Sequence, residues 1–157
     1  KVADCYANGE LDVEKDSVKA IKWYKKASAE NLEFSRNELS KTAIVRAVKE
    51  KHHEIMILPT KVKKCTVTTI GNYAFSKSSI KSIEIPEGVT TIENYAFAQC
   101  DSLVEIVLPT SIVSIEENAF QGSTSLSKIL IPSGTRNKFA SMAGLKDMED
   151  KLVETNI

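Results

Sequence analysis

The chain of 157 residues is short of most of what chemistry or membrane insertion requires. No stretch approaches the roughly 20 apolar residues that cross a bilayer, so no membrane-spanning segment is expected. Neither charge sign is in excess, with 21 Lys plus Arg against 21 Asp plus Glu. That balance offers no basic surface to neutralise phosphates, and nucleic acid is not an expected partner. There are only two histidines, His52 and His53. Adjacent strand positions point to opposite faces, so the two do not form a ligand pair. The six glycines are scattered singly, which excludes a phosphate loop and a dinucleotide fingerprint. Cys5, Cys65 and Cys100 are odd in number and lack CxxC or zinc-like spacing. A disulfide framework is therefore not expected, and buried thiols that behave as small hydrophobes are. The serines and cysteines have no evident base to activate them. The expectation is a non-enzymatic protein with no cofactor and no metal.

What the chain does have is repetition. "VTTIENYAF" at 89–97 returns as "IVSIEENAF" at 112–120. Aligned on proline, "EIMILP" ends at Pro59, "IKSIEIP" at Pro86, "LVEIVLP" at Pro109 and "LSKILIP" at Pro132, so every proline shares one repeat position. The intervals are 27, 23 and 23 residues, the first being lengthened by "TKVKKCTV". After each of the first three prolines come an isoleucine (Ile70, Ile92, Ile115) and an Ala-Phe pair at 74–75, 96–97 and 119–120. The fourth unit keeps the strand and loses Ala-Phe.

Each unit alternates apolar and polar residues up to a proline that cannot donate a ladder hydrogen bond, as a short strand does. "VTTI" then allows a second short strand with Val89 and Ile92 inward, followed by a tight turn carrying Ala96 and Phe97. One unit cannot bury its own apolar face. Stacked units place Ile83, Ile106 and Ile129 in one column and Phe75, Phe97 and Phe120 in another, a solenoid core made of nearest-neighbour contacts.

The stretch "IPEGVTTIENYAFAQCDSLVEIVLPTSIVSIEENAF" closely resembles the BspA-like leucine-rich repeat, and the resemblance covers residues 54 to about 154. "IPSGTRNKFASMAGLKDMEDKLVE" is similar to the terminal cap of such proteins. In that cap Thr135 is expected to N-cap a helix over "RNKFASMA", Gly144 to end it, and "LKDMEDKLVE" to add further helix.

The N-terminal third has another period. "DSVKAIKWYKKASAE" places Ala20, Trp23, Tyr24 and Ala27 on one helical face behind Asp16 as N-cap, and "VADCYANG" ends an earlier helix at Gly9. Together they resemble a Sel-one-like repeat, a helical hairpin related to tetratricopeptide repeats, although Leu11 and Asp12 replace the usual second glycine. A third, bridging helix is expected from Ser35, where "SRNE" is a capping-box pattern, through Leu39, Ala43 and Val48 to about Glu50. The expected architecture is an α+β chain: a helical region at 1–50, then a BspA-like solenoid at 51–157 whose cap occupies about 133–157.

Binding surfaces are the place to seek function. Between residues 82 and 127 stand Glu84, Glu87, Glu93, Asp101, Glu105, Glu116 and Glu117 with no basic residue among them. They form either a solvated exterior or a patch for a basic partner. The outward strand positions Ile57, Glu84, Val107 and Leu130 form a largely apolar column. Tyr73 and Tyr95 share the position before Ala-Phe, as edge packing or as a ligand platform. The expected function is a scaffold for protein–protein interaction, and the resemblance implies bacterial cell-surface or host-matrix adhesion. The alternatives are an intracellular adaptor that uses the helical repeat and a structural segment of a larger repeat protein. Lys1 in place of Met, with no apolar signal core in "KVADCYANGE", suggests an internal fragment or processed form. An export signal upstream of Lys1 would place the protein at the surface, and its lack in the cytoplasm.

Overall fold

A computed structural model describes residues 17–49 and 54–156. Cys5, Asp16, His52, His53 and the expected helix ending at Gly9 lie outside them, as do the side chains of Ala20, Trp23 and Tyr24. The order of elements is α1 (Ser17–Asn31), β1 (Leu32–Asn37), β2 (Thr42–Val48), β3 (Ile55–Ile57), β4 (Lys61–Val62), β5 (Cys65–Ile70), β6 (Ser82–Glu84) and β7 (Thr91–Ile92). There follow β8 (Glu105–Val107), β9 (Ser114–Ile115), β10 (Lys128–Pro132), α2 (Arg136–Ala140), two 3-10 turns (Ala143–Leu145 and Glu149–Lys151) and β11 (Leu152–Thr155).

The strands before each proline and the strands after it go to different sheets. β3, β6, β8, β10 and β11 make a five-stranded parallel sheet. β2, β5, β7 and β9 make a second parallel run, extended by β1 antiparallel to β2 and by β4 antiparallel to β5. The result is a short β-solenoid of about five turns with little helix, the count following the five strands of the first sheet.

The core is the predicted pair of columns. Met56, Ile83, Ile106, Ile129 and Leu152 are successive register partners, all buried. Phe75, Phe97 and Phe120 stack with centroids 5.1 and 5.4 Å apart and planes within 10°. Val89, Ile92, Ile112 and Ile115 are buried between the sheets. The extra residues of the first interval form the β4–β5 hairpin, which turns through Lys63 at a φ of 55°.

Hydroxyls complete the turns. Ser123 Oγ donates to the Phe97 carbonyl and accepts from the Cys100 N–H at 3.0 Å. Cys100 occupies the same position one unit earlier, and its thiol donates to the Phe75 carbonyl at 3.0 Å. Burial pushes the Cys100 thiol pKa up, which keeps it protonated and inert. Cys65 and Cys100 are both free and buried.

The ends depart from expectation. The helix starting after Asp16 is present as α1, but no helical hairpin is seen among the described residues. The expected bridging helix from Ser35 to Glu50 is instead the β1–β2 hairpin. "SRNE" is the end of β1 and the first residue of the turn at 38–41, where Asn37 Oδ1 accepts the N–H groups of Leu39 and Ser40 at 3.0 and 3.1 Å. A short polar side chain that can cap a helix can equally close a turn. Leu39, an apolar residue of the expected helix, is 96% exposed at the tip, while the alternating pair Ala43 and Val45 faces the core at 0%. β2 pairs in parallel with β5, so one sheet spans the expected boundary between residues 50 and 51.

The C-terminal cap is also less helical than expected. Its helix begins at Arg136 behind Thr135, but the Thr135 hydroxyl bonds the Pro132 carbonyl rather than the helix, which ends at Ala140. Gly144 does not end it. A Cβ there would lie 2.4 Å from the Glu116 carbonyl oxygen and 2.5 Å from Ile115 Cγ2, so glycine is what lets the 3-10 turn rest on β9. "LVET" is not helix but β11, which adds to β10 in register.

Candidate binding surfaces

The outward face of the five-stranded sheet carries two columns. One runs Ile55, Ser82, Glu105 and Lys128, and the other Ile57, Glu84, Val107, Leu130 and Val153, each a register partner of the next. Ile57 is buried, β3 being packed by α1, while Val107 and Leu130 are half-buried and Val153 is 42% exposed. Val153 lies in "LKDMEDKLVE", whose expected helix hides its place in this column. Its signal was the repeat interval itself, since it stands 23 residues after Leu130. Where the second column meets the turn, a cleft of about 180 Å³ opens between Glu84, Glu87, Val107 and the prolines 86, 109 and 132.

The acidic run resolves into two kinds of residue. Glu87 accepts from Thr110 N–H (2.8 Å), Thr110 Oγ1 (2.7 Å) and Ser111 N–H (3.1 Å). Glu93 accepts both the backbone and side-chain N–H of Asn72 at 2.9 Å, and Glu116 accepts the Asn94 N–H at 2.7 Å. These three carboxylates stitch one unit to the next. Glu84, Asp101, Glu105 and Glu117 have no side-chain partner among the described residues and are divided between elements. Glu84 and Glu105 stand on the outward sheet face, Asp101 in the turn before β8, and Glu117 after β9 of the other sheet.

Tyr73 and Tyr95 stack on each other, centroids 5.0 Å apart and planes within 10°. They sit in the turns after β5 and β7, with Tyr73 59% exposed and Tyr95 half-buried. Among the described residues no three His, Cys, Asp or Glu side chains gather as metal ligands, and no helix is long and apolar enough to cross a membrane.

This pairing of a proline-terminated strand with an Ala-Phe turn, repeated at 23 residues, is matched by six copies of the BspA type leucine-rich repeat region over residues 57–147, more than half of the chain. The chain belongs to the BspA-type leucine-rich repeat family. The match gives no support to a Sel-one-like repeat in the N-terminal third. Among solved structures the chain is similar to the leucine-rich repeat protein of T. pallidum, with a TM-score of 0.61 at 22% identity over 66% of this chain and 51% of that one. A leucine-rich repeat protein of Bacteroides ovatus gives 0.57 at 27% identity over 65% of this chain and 28% of its own length. One from Bacteroides capillosus gives 0.51 at 22% over 66% and 95%. The two relatives at 22% identity show the fold alone. The chain spans about half of the first of these three proteins and under a third of the second. No curated protein matches it. Leucine-rich repeat proteins of this kind are typically non-catalytic and bind other proteins.

Proposed function

We propose that the chain is a non-catalytic scaffold for protein–protein interaction whose contact surface is the outward face of the five-stranded sheet. One observation carries this reading. Val107, Leu130 and Val153 put three aliphatics in register on an outward face, bordered by the unpartnered Glu84 and Glu105. The second sheet, built by the same units, offers a contrast: its outward register column runs Ile44, Thr69, Thr91 and Ser114, one aliphatic at the N-terminal end and then three hydroxyls. A fold that can finish a strand face with hydroxyls has finished the other with aliphatics, as contact surfaces are finished. The acidic border favours a partner with basic residues, and affinity should then fall with salt.

The bacterial origin of the solved relatives, together with the family resemblance, supports a bacterial adhesin role at a host-facing surface. The test is binding of the full chain to immobilised host matrix proteins, with Leu130→Glu compared against Thr91→Glu. Leu130→Glu should weaken binding by about tenfold or more, and Thr91→Glu should leave it intact. Equal binding by all three proteins, or no binding by any, would remove the reading.

A further inference from the structure

Charge is segregated along the solenoid. Residues 32–81 hold ten Lys and Arg against four Glu, whereas residues 82–127 hold seven acidic residues and no basic one. Part of the first group is engaged: Lys81 pairs with Glu54 at 2.8 Å, Arg36 lies 3.7 Å from Glu38, and Lys49 donates to the Glu30 carbonyl at 3.0 Å. Lys41, Lys61, Lys63 and Lys64 are different. All four are exposed, and their ammonium groups have no partner among the described residues. They also share one corner of the second sheet. The Lys41 carbonyl accepts the Thr66 N–H at 2.8 Å, Thr66 is the register partner of Lys61, and Lys63 with Lys64 links Val62 to Cys65. Strands lie about 4.8 Å apart, so the backbones of Lys41 and Lys61 are about 10 Å from each other across β5. The turn itself does not require lysine, since a φ of 55° at Lys63 suits glycine or asparagine better.

The complement of this corner is carried by the same chain. On the outward face of the five-stranded sheet Glu84 is the register partner of Val107 and Glu105 that of Ser82, so two unpartnered carboxylates border the aliphatic column. Lysine suits such a face, because its methylene stem packs on aliphatics such as Val107 and Leu130 while the ammonium reaches a carboxylate. Val62, half-buried in the hairpin, adds an apolar side chain to the corner. With 21 basic and 21 acidic residues, no net charge holds two copies apart. An anionic polymer would satisfy the corner and leave the acidic face unmatched, whereas a second copy satisfies both. We propose that the outward face of the five-stranded sheet receives the corner formed by Lys41, Lys61, Lys63 and Lys64 of a second copy of this chain. The inference rests on the contact surface assigned above and names its partner. Corner and face are different patches, so the contact is head to tail and association continues beyond two copies.

The full chain is followed by sedimentation velocity at about 20 mM and about 500 mM NaCl. At low salt the weight-average mass should rise with protein concentration above that of one chain, and at high salt it should return to that value. The double variants Lys63→Glu/Lys64→Glu and Glu84→Lys/Glu105→Lys should each weaken association by about tenfold or more. An equimolar mixture of the two should restore it, because the acidic face kept by the first meets the lysine corner kept by the second. Recovery in the mixture also excludes lost fold as the cause of lost association. A single-chain mass at low salt overturns the inference, as do charge reversals without effect or a mixture that stays dissociated. Heparin bound through Lys63 and Lys64 by a chain that does not self-associate overturns it in favour of an anionic polysaccharide. Matrix binding that depends on Leu130 in a chain that stays single leaves the contact surface standing and its partner wrong. Self-association without any matrix binding removes the host-facing role and keeps the second copy.

Discussion

The repeated units and the two ends of the solenoid satisfy their backbones by different means. Within the units the backbone bonds of the turns recur at the repeat interval: Phe75 N–H donates to the Ala96 carbonyl and Phe97 N–H to the Ala119 carbonyl, both at 2.8 Å. The ends continue the register and add closures that have no copy in the described units. The N-terminal edge of one sheet is covered by the antiparallel β1, which carries a bulge between Glu33 and Phe34. At the C-terminal side, Gly144 lets a 3-10 turn sit on β9, and the two terminal guanidinium nitrogens of Arg136 donate to the Leu152 carbonyl at 3.1 Å. Edges must be closed against further strands, and closure is done by single residues rather than by a pattern.

The comparison predicts that damage in the middle is shared and damage at an end is local. Phe97 lies between Phe75 and Phe120 in the ring stack and is 1% exposed. Phe97→Ala should cost about 3–5 kcal/mol and lower the urea midpoint of the whole solenoid in one transition. An unchanged midpoint would sink the stacking account. A second, separate transition would break the claim that the middle is shared.

Gly144→Ala tests the end. The added methyl meets backbone and β-branched neighbours that cannot swing away, so the turn must lift from β9 at a cost of about 1–3 kcal/mol. Hydrogen exchange should accelerate in 135–155 and at β9 while β5 and β6 keep their protection. Uniform loss of protection would erase the distinction between middle and end.

The same contrast explains how much of the molecule could be read from its sequence. Ile83, Ile106, Ile129 and the three phenylalanines were legible because stacking repeats the same demand at the same interval. The hairpin at 32–48 was not, because it has no second copy and Asn37 offers a local bond compatible with a helix cap or a turn. Tertiary pairing with β5 decides between them. Gly144 was misread as a helix stop because its role depends on Ile115 and Glu116, distant in sequence. In the candidate surfaces, Ile57, Glu84, Val107 and Leu130 fell into register as the periodicity implied. By contrast, the split of the acidic run between structural carboxylates and free ones depends on which side chains reach across a turn, and spacing does not encode that. The positive φ of Tyr73 (60°) and Tyr95 (59°) was equally invisible, since a tyrosine carries no mark of it.

The smallest expected effect concerns the structural carboxylates. Burial tends to raise the pKa of Glu87, but the hydrogen bonds from Thr110 and Ser111 outweigh it, and the carboxyl titrates below its ordinary value. A carboxyl with a folded pKa below its unfolded one adds stability that is fully present above the unfolded pKa and lost as pH falls through the folded one. Glu87→Gln removes this contribution, so its melting temperature should lie slightly below that of the parent at a pH of about 7, and the gap should close towards about 3. Glu84→Gln, at a carboxylate with no partner among the described residues, should show no such closing gap. If the two variants respond alike to pH, Glu87 is a solvated surface charge and its bonds to the next unit add nothing to the stack.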